Sequence, residues 1–420
     1  MRSKLGLTIV AWHGLALLAF AAPDVAPPHL RASATPDVPP LDSRLVYEGR
    51  WSLQGSTALA DWPNTAIYFQ VRGSGTVRAL LDGGSVVGGT KVGVTCTPLD
   101  GGVASYTEFR VGTRLVGYST PTIAELPQNS SSTYLVSLTK LTEASFFPEL
   151  PLGVEESTIT FAGLQLSGSV SVLAAPARPG RRVEVVGDSD TTAWGTEDFL
   201  NTSSTTCVKN WVVNQNCGKS WAADLAHRLG SQLQVVATMG KGVYMNADTL
   251  KFPSGPPMPG VYDRALASKS SPSWNFSRWS PDLVLIRLGA NDYSRKEPPA
   301  VPVFIKAYHD FIRTVFRVYR GSARNVTVVN VCGGSYPSDG GRNSVCPTVR
   351  AVSESWSRLY AKEGRVEYVE IPPGIAADAD RGCLDHPRVA AHAKIAKYIE
   401  PTIRRIMAWS DESFASSLYV

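Results

Sequence analysis

The hydrophobic periodicity of this chain changes near residue 175, and that change limits its fold more than any other feature. Before it, short runs such as Ala66–Val71 and Thr76–Leu81 alternate apolar and polar residues across a Gly-Ser-Gly turn, and Ser132–Leu138 and Val170–Leu173 continue the pattern. A period of two buries every second side chain, and turn residues at this spacing point to an all-β sandwich. After residue 175, strand-like runs at Arg182–Val186, Leu233–Ala237, Leu283–Leu288, Val326–Val331 and Val366–Ile371 alternate with helical spacing at Lys219–Leu229, Pro302–Tyr319 and His392–Arg405. That order predicts an α/β domain with a parallel sheet and helices on both faces. The boundaries that follow are a β-sandwich over 45–174, a linker through Ala174–Gly180, an α/β domain over 181–408 and a tail over 409–420.

The length of 420 residues suits two domains, and 43% hydrophobic with 18% charged residues is a globular composition. A net charge of +5 without a dense Lys/Arg run argues against a nucleic-acid partner. Arg2 and Lys4, the apolar stretch Leu5–Ala22 and its small residues read as a signal peptide over 1–22, with a signal anchor as the alternative; a Pro/Ala-rich flexible leader follows over 23–44. No later segment is apolar for long enough to span a membrane, so none is expected to hold the chain there after cleavage. Six cysteines fit an oxidising compartment. Proximity suggests Cys207–Cys217 and Cys332–Cys346, leaving Cys96 and Cys383 as a third pair with less to support it, although six cysteines allow fifteen connectivities. Sequons at Asn129, Asn201, Asn275 and Asn325 add to an expectation of a secreted, extracellular glycoprotein, read as a monomer.

In parallel sheets ligands bind beyond the carboxyl ends of the strands. There the chain carries Gly187-Asp188-Ser189, Gly240-Lys241-Gly242, Gly289-Ala290-Asn291-Asp292 and, before the last helix, Asp380 to Pro387. Acyl transfer needs an activated hydroxyl, a base and preorganised donors for the oxyanion. Ser189 supplies the nucleophile, His386 the base, and the Ser189 N–H, a glycine N–H of the second loop and the Asn291 amide the oxyanion hole. Asp188 and Asp292 are read as residues that stabilise their loops, and His227, His309 and His392 as structural. No metal-ligand spacing and no phosphate loop occur, and no cofactor is expected.

These blocks resemble, in order and spacing, those of the SGNH hydrolase superfamily. Gly382-Cys383-Leu384-Asp385-His386-Pro387, with His392 six residues on, is similar to the His block of carbohydrate esterase family 2, and Gly240-Lys241-Gly242-Val243 to its second block. Tyr47–Trp51, Asp61-Trp62-Pro63 and Lys140–Ala144 resemble its jelly-roll domain more loosely, and the likeness covers residues 45 to 402. The resemblance implies a flavodoxin-like three-layer hydrolase domain behind a jelly-roll, removing acetyl groups from plant polysaccharides. It maps Ser189 to the nucleophile, His386 to the base, and Gly240 and Asn291 to the oxyanion hole, with Gly240 preferred over Gly242 because the superfamily's functional glycine comes first after the strand.

Two departures stand out. Asp190 follows the serine, where an apolar residue is commoner; an acid there is expected to disfavour an anionic substrate or perturb the serine. Cys383 occupies the position, three before the His, of the usual triad Asp. Asp380, folding back, the adjacent Asp385 or a backbone carbonyl remain to orient His386, and a Ser-His dyad is the expectation. Trp194 is a candidate substrate wall, while Trp51 and Trp62 read as β-domain core. The expected partner is an acetylated polysaccharide or oligosaccharide. An acetyltransferase with the same site and a non-catalytic glycan-binding protein are the alternatives, with a lipase disfavoured for want of an apolar lid.

Overall fold

The structure, a computed structural model, describes residues 35–86, 88–112, 117–128, 131–144, 157–197, 206–207, 211–248, 255–334 and 345–410. The signal-peptide segment 1–22, the sequons at Asn129 and Asn201 and most of the tail lie outside these residues.

The N-terminal half forms two antiparallel sheets. Strands β1 (Val46–Glu48), β4 (Ala66–Arg72), β9 (Thr133–Lys140), β6 (Thr90–Pro98) and β7 (Ser105–Val111) follow one another in the first, with β11 (Ser171–Val172) beside β4. The second runs β2 (Ser52–Gln54), β3 (Thr57–Ala60), β10 (Ile159–Leu166), β5 (Gly75–Asp82), β8 (Thr122–Leu126). One hydrophobic cluster takes Ile67, Phe69, Val92 and Val136 from the first sheet and Ala58, Leu81 and Phe161 from the second. Alternation places these side chains on one face of each strand.

The C-terminal half holds a five-stranded parallel sheet in the order β13 (Ser231–Ala237), β12 (Arg181–Gly187), β14 (Leu283–Arg287), β15 (Thr327–Cys332), β16 (Arg365–Glu370). Its main helices are α1 (Trp221–Leu229), α2 (Val301–Val318), α3 (Cys346–Leu359) and α4 (Val389–Met407). Successive residues of one strand join different clusters: Val185 packs with Trp221, Leu225 and Ile395 of α1 and α4, Val186 with Phe304, Tyr308 and Trp356 of α2 and α3. Apolar burial on both faces is why β14 reads as the run Leu-Val-Leu-Ile and β12 and β13 carry adjacent valines near their ends. Ser220 caps α1 by accepting the Ala223 N–H, and Gly230 ends it at a φ of +59°.

Three expectations change here. Part of the expected flexible leader is tied to the sandwich: Val38 is buried, and the Asp37 and Val38 N–H groups both bond the Leu164 carbonyl, because an apolar residue among prolines extends the sandwich core. Trp51 lies in the sandwich core, but Trp62 joins the cluster of α2 and α3 and its indole donates to the Arg264 carbonyl at 3.3 Å. The bridges are Cys332–Cys346 and Cys207–Cys383; Cys96 and Cys217 are buried and unpaired, so proximity named one pair correctly and misjudged the others.

The two halves interlock through buried polar groups. Arg50 reaches Glu184 of β12 at 3.1 Å, both fully buried, and the guanidinium lies 5.0–5.9 Å from the rings of Trp62, Tyr262, Trp274 and Phe276. Glu184 also accepts from Tyr262, Tyr319 and Gln234 at 2.6, 3.0 and 2.7 Å. Satisfying each lone pair is what makes a buried carboxylate tolerable. The Asp61 carboxylate receives the Ala267 and Ser268 N–H groups at 2.7 and 2.9 Å. The linker is anchored too, with Arg178 paired to Glu48 and stacked on Tyr68.

Candidate active site

The strand order places the first strand of the parallel sheet, β12, between the second and third, so consecutive crossovers leave in opposite directions and open a crevice at the carboxyl ends of β12 and β14. Ser189 stands two residues beyond β12 in a turn capped by Asp188, whose Oδ1 accepts the Asp190 N–H at 3.1 Å and whose carbonyl accepts Thr191 and Thr192. The turn is buried, and Ser189 is 7% exposed.

His386 Nε2 lies 2.7 Å from Ser189 Oγ, and its Nδ1 lies 2.9 Å from the Cys383 carbonyl oxygen. A carbonyl only accepts, so Nδ1 carries the hydrogen and Nε2 of the neutral ring presents its lone pair to the serine hydroxyl. Of the groups considered for orienting His386, the carbonyl is the one placed on Nδ1. The Asp380 carboxylate, predicted as a catalytic residue, receives Lys394 Nζ at 2.6 Å and the Ala377 N–H at 3.1 Å. Asp385 is exposed and bonds Arg381 at 3.1 Å. Leu384 and Asp385 take φ values of +49° and +61°, a turn that brings the Cys383 carbonyl back to the ring. Left-handed conformations cost non-glycine residues about 1–2 kcal/mol each.

Trp194, expected as a substrate wall, is 1% exposed and rests against His386 with ring centroids 4.9 Å apart. A wall needs open ring surface; this indole supports the imidazole instead. A Cβ at Gly195 would stand 2.4 Å from that of Cys383, so glycine permits the Ser189 turn and the His386 segment to touch.

Gly240 and Asn291 come to the same crevice. Asn291 Nδ2 donates to Asp188 Oδ2 and to the Lys241 carbonyl, both at 3.0 Å, so its amide ties the Ser189 turn to the glycine loop. The Gly242 N–H is directed to Asn246 Oδ1 at 3.4 Å, and a Cβ on Gly242 would lie 2.4 Å from Asp292 Oδ2, which assigns that glycine to loop packing. Asp292 is fully buried and receives the Val243, Tyr244 and Met245 N–H groups at 2.9, 2.7 and 2.8 Å. Burial pushes its carboxyl up to about 6 against the pull of these donors. His392 is buried, accepts the Trp221 N–H at 3.2 Å and is driven down to about 3 by burial, as befits a structural histidine.

Sequence reasoning missed two contributors. Asp190 pairs with Arg287 of β14 at 3.0 Å, so the unusual acid has a neighbouring countercharge. Glu143, from the β-sheet half, accepts the Met239 N–H at 2.7 Å, one residue before Gly240, while its own N–H bonds Gln215, whose amide reaches the Thr192 carbonyl at 3.1 Å. Burial raises the Glu143 carboxyl to about 8. A buried acid in the Lys140–Ala144 block was the signal available. Among the described residues no cluster of His, Cys, Asp or Glu is arranged to hold a metal ion.

No protein-family model matches the chain. Cellulase/esterase CelE of Acetivibrio thermocellus is 28% identical over 298 residues, covering 70% of this chain and 33% of that protein. The acetylxylan esterase / glucomannan deacetylase of Cellvibrio japonicus is 27% identical over 257 residues, 60% of this chain and 64% of that protein. The chain thus spans less than two thirds of the length of these relatives. A family two carbohydrate esterase from Clostridium thermocellum, solved with cellohexaose, superposes with a TM-score of 0.70 at 23% identity over 87% of this chain and 100% of that one. One from Cellvibrio japonicus gives 0.69 at 21%, over 88% and 96%. In sequence its relatives are named as esterases, in fold its neighbours are family two carbohydrate esterases, and it is to that family that this chain is similar.

Proposed function

We propose that this chain is a secreted carbohydrate esterase that removes O-acetyl groups from a polysaccharide such as xylan or mannan through a serine acyl-enzyme. The observation that carries the reading is the 2.7 Å contact of Ser189 Oγ with His386 Nε2, backed by the Cys383 carbonyl on Nδ1. Ser189 Oγ attacks the ester carbonyl carbon as its proton passes to Nε2. The Ser189 and Gly240 N–H groups hold the oxyanion, and Asn291 shifts one amide hydrogen from its present acceptor toward it. Collapse breaks the bond to the sugar oxygen, which takes the proton from His386 as it leaves and departs as the hydroxyl. Water, deprotonated by the same ring, then releases acetate and restores Ser189.

Strand order and the two helix clusters support a flavodoxin-like three-layer hydrolase domain, and the shared core of the antiparallel sheets supports a jelly-roll ahead of it. Asn275 and Asn325 are exposed, as glycan acceptors of a secreted protein need. The test is Ser189→Ala: hydrolysis of p-nitrophenyl acetate is lost with folding intact, and persistence of activity rejects the reading. Acetate release from acetylated xylan, mannan and pectin then identifies the substrate.

A further inference from the structure

Cys383 sits three residues before His386, where the superfamily that the sequence resembles carries its triad Asp. Its carbonyl oxygen is 2.9 Å from His386 Nδ1, and its sulfur is bonded to Cys207, 176 residues away. The bridge lies in a buried cluster with Trp194, Trp211, Val212 and Met239, so it shares a core with the indole that rests against the His386 ring and with the residue that precedes Gly240. The two residues between Cys383 and His386 are left-handed and non-glycine, a conformation that the surrounding structure has to impose. A carbonyl orients a histidine only while its own peptide is fixed, and a loop peptide in such a turn has little local preference to stay there.

We propose that the Cys207–Cys383 disulfide is a positioning bond for the general base. It holds the 383–386 turn so that the Cys383 carbonyl stays on Nδ1, and thereby does covalently what a triad carboxylate does by charge. Cys207 and Cys383 are positioning residues acting through His386. The inference rests on the serine-hydrolase reading above.

The experiment compares Cys207→Ala and Cys383→Ala, each of which keeps the 383 carbonyl, with Cys332→Ala, which opens the other bridge. Kinetics are measured with p-nitrophenyl acetate at a temperature well below each variant's unfolding midpoint, and kcat is expressed per folded molecule. Losing the first bridge is expected to lower kcat roughly 10- to 100-fold with KM nearly unchanged, the scale of a displaced catalytic group, and to slow Ser189 labelling by a fluorophosphonate in parallel. Cys332→Ala is expected to lose stability but keep its kcat. Dithiothreitol treatment of folded wild-type chain, followed by alkylation, supplies a second measurement that does not depend on refolding. Activity lost in step with alkylation of Cys207 and Cys383 supports the proposal. A kcat within twofold of wild type in Cys207→Ala and Cys383→Ala, or activity retained after both thiols are alkylated, overturns it. Ser189→Ala separates the two readings: an active Ser189→Ala rejects the hydrolase mechanism itself, whereas an inactive one beside a fully active Cys207→Ala rejects only the role of the bridge.

Discussion

Arg50 of the β-sheet half and Glu184 of the strand that leads to Ser189 meet as a fully buried ion pair at 3.1 Å. The pair joins the two halves along the strand that leads to the Ser189 turn, where neither charge has water to fall back on. Removing one partner of such a pair leaves the other stranded and costs about 3–5 kcal/mol. Arg50→Ala is therefore expected to lower the unfolding free energy from urea titration by that amount and to unfold both halves in one transition, followed by tryptophan fluorescence and circular dichroism together. Coincident loss of both signals is the expected result; separate transitions in the wild-type chain would show the halves to be energetically independent.

For His386, the geometry favours a carbonyl over a carboxylate. Asp380→Asn removes the partner of Lys394, a partly exposed pair contributing about 0–1 kcal/mol, and leaves the Cys383 carbonyl in place. Its kcat on p-nitrophenyl acetate is expected to stay within about threefold of wild type, the scale of a sub-kcal change. A fall of several orders of magnitude would return Asp380 to the machinery.

An acid at 190 suggests a bias against anionic substrates or a perturbed serine, yet Arg287 stands 3.0 Å from Asp190 and both side chains are largely buried. With the charge compensated, Asp190→Asn is expected to change the ratio of acetate release from pectin to that from xylan by less than about threefold, a sub-kcal effect. Its cost falls instead on stability, about 1–3 kcal/mol for the arginine left behind, read as a drop in thermal midpoint.

Glu143 carries a pH signature. Its carboxyl is raised by burial from 4.5 to about 8, so the folded chain binds a proton that the unfolded chain has released. Stability from this group is complete below pH 4.5 and declines as pH rises through 8. Lys140, pushed down by burial to about 8, acts with opposite sign between pH 8 and 10.5. Glu143→Gln mimics the neutral acid and is expected to keep activity at pH 7 while flattening the decline in unfolding free energy between pH 5 and 8, measured by urea titration at each pH. Glu143→Ala leaves the Met239 N–H buried without its acceptor, at about 1–3 kcal/mol.

What the sequence revealed follows from how each feature is encoded. The strand-end blocks were legible because β12 and β14 end in the apolar stretches Val185-Val186 and Leu283–Ile286 just before Gly and polar residues begin, which fixes Ser189 and Asn291 at the same edge of one sheet. Helix α3 was not anticipated: its buried face includes Thr348 and Ser353 beside Val349, Val352 and Trp356, and two hydroxyl residues blur the helical period. The carbonyl on His386 has no side-chain signature at all, since any residue at 383 supplies one. Partners joined through space were equally silent: Arg50 and Glu184 lie 134 residues apart, and Cys207 and Cys383 176 apart.

The unpaired Cys217 has a consequence for how the chain matures. It lies ten residues from Cys207, while the native partner of Cys207 is 176 residues distant. Loop-closure entropy alone favours the short, wrong bridge by about 2.5 kcal/mol. In the folded chain Cys217 is sealed by the sandwich: its N–H bonds the Leu141 carbonyl, its own carbonyl accepts Asn64, and burial holds its thiol well above the ordinary range, starving it of thiolate. The β-sheet half therefore acts as an internal protecting group for the one thiol that would otherwise sit nearest to Cys207 along the chain, and keeps it from exchanging with the bridge once the fold has closed.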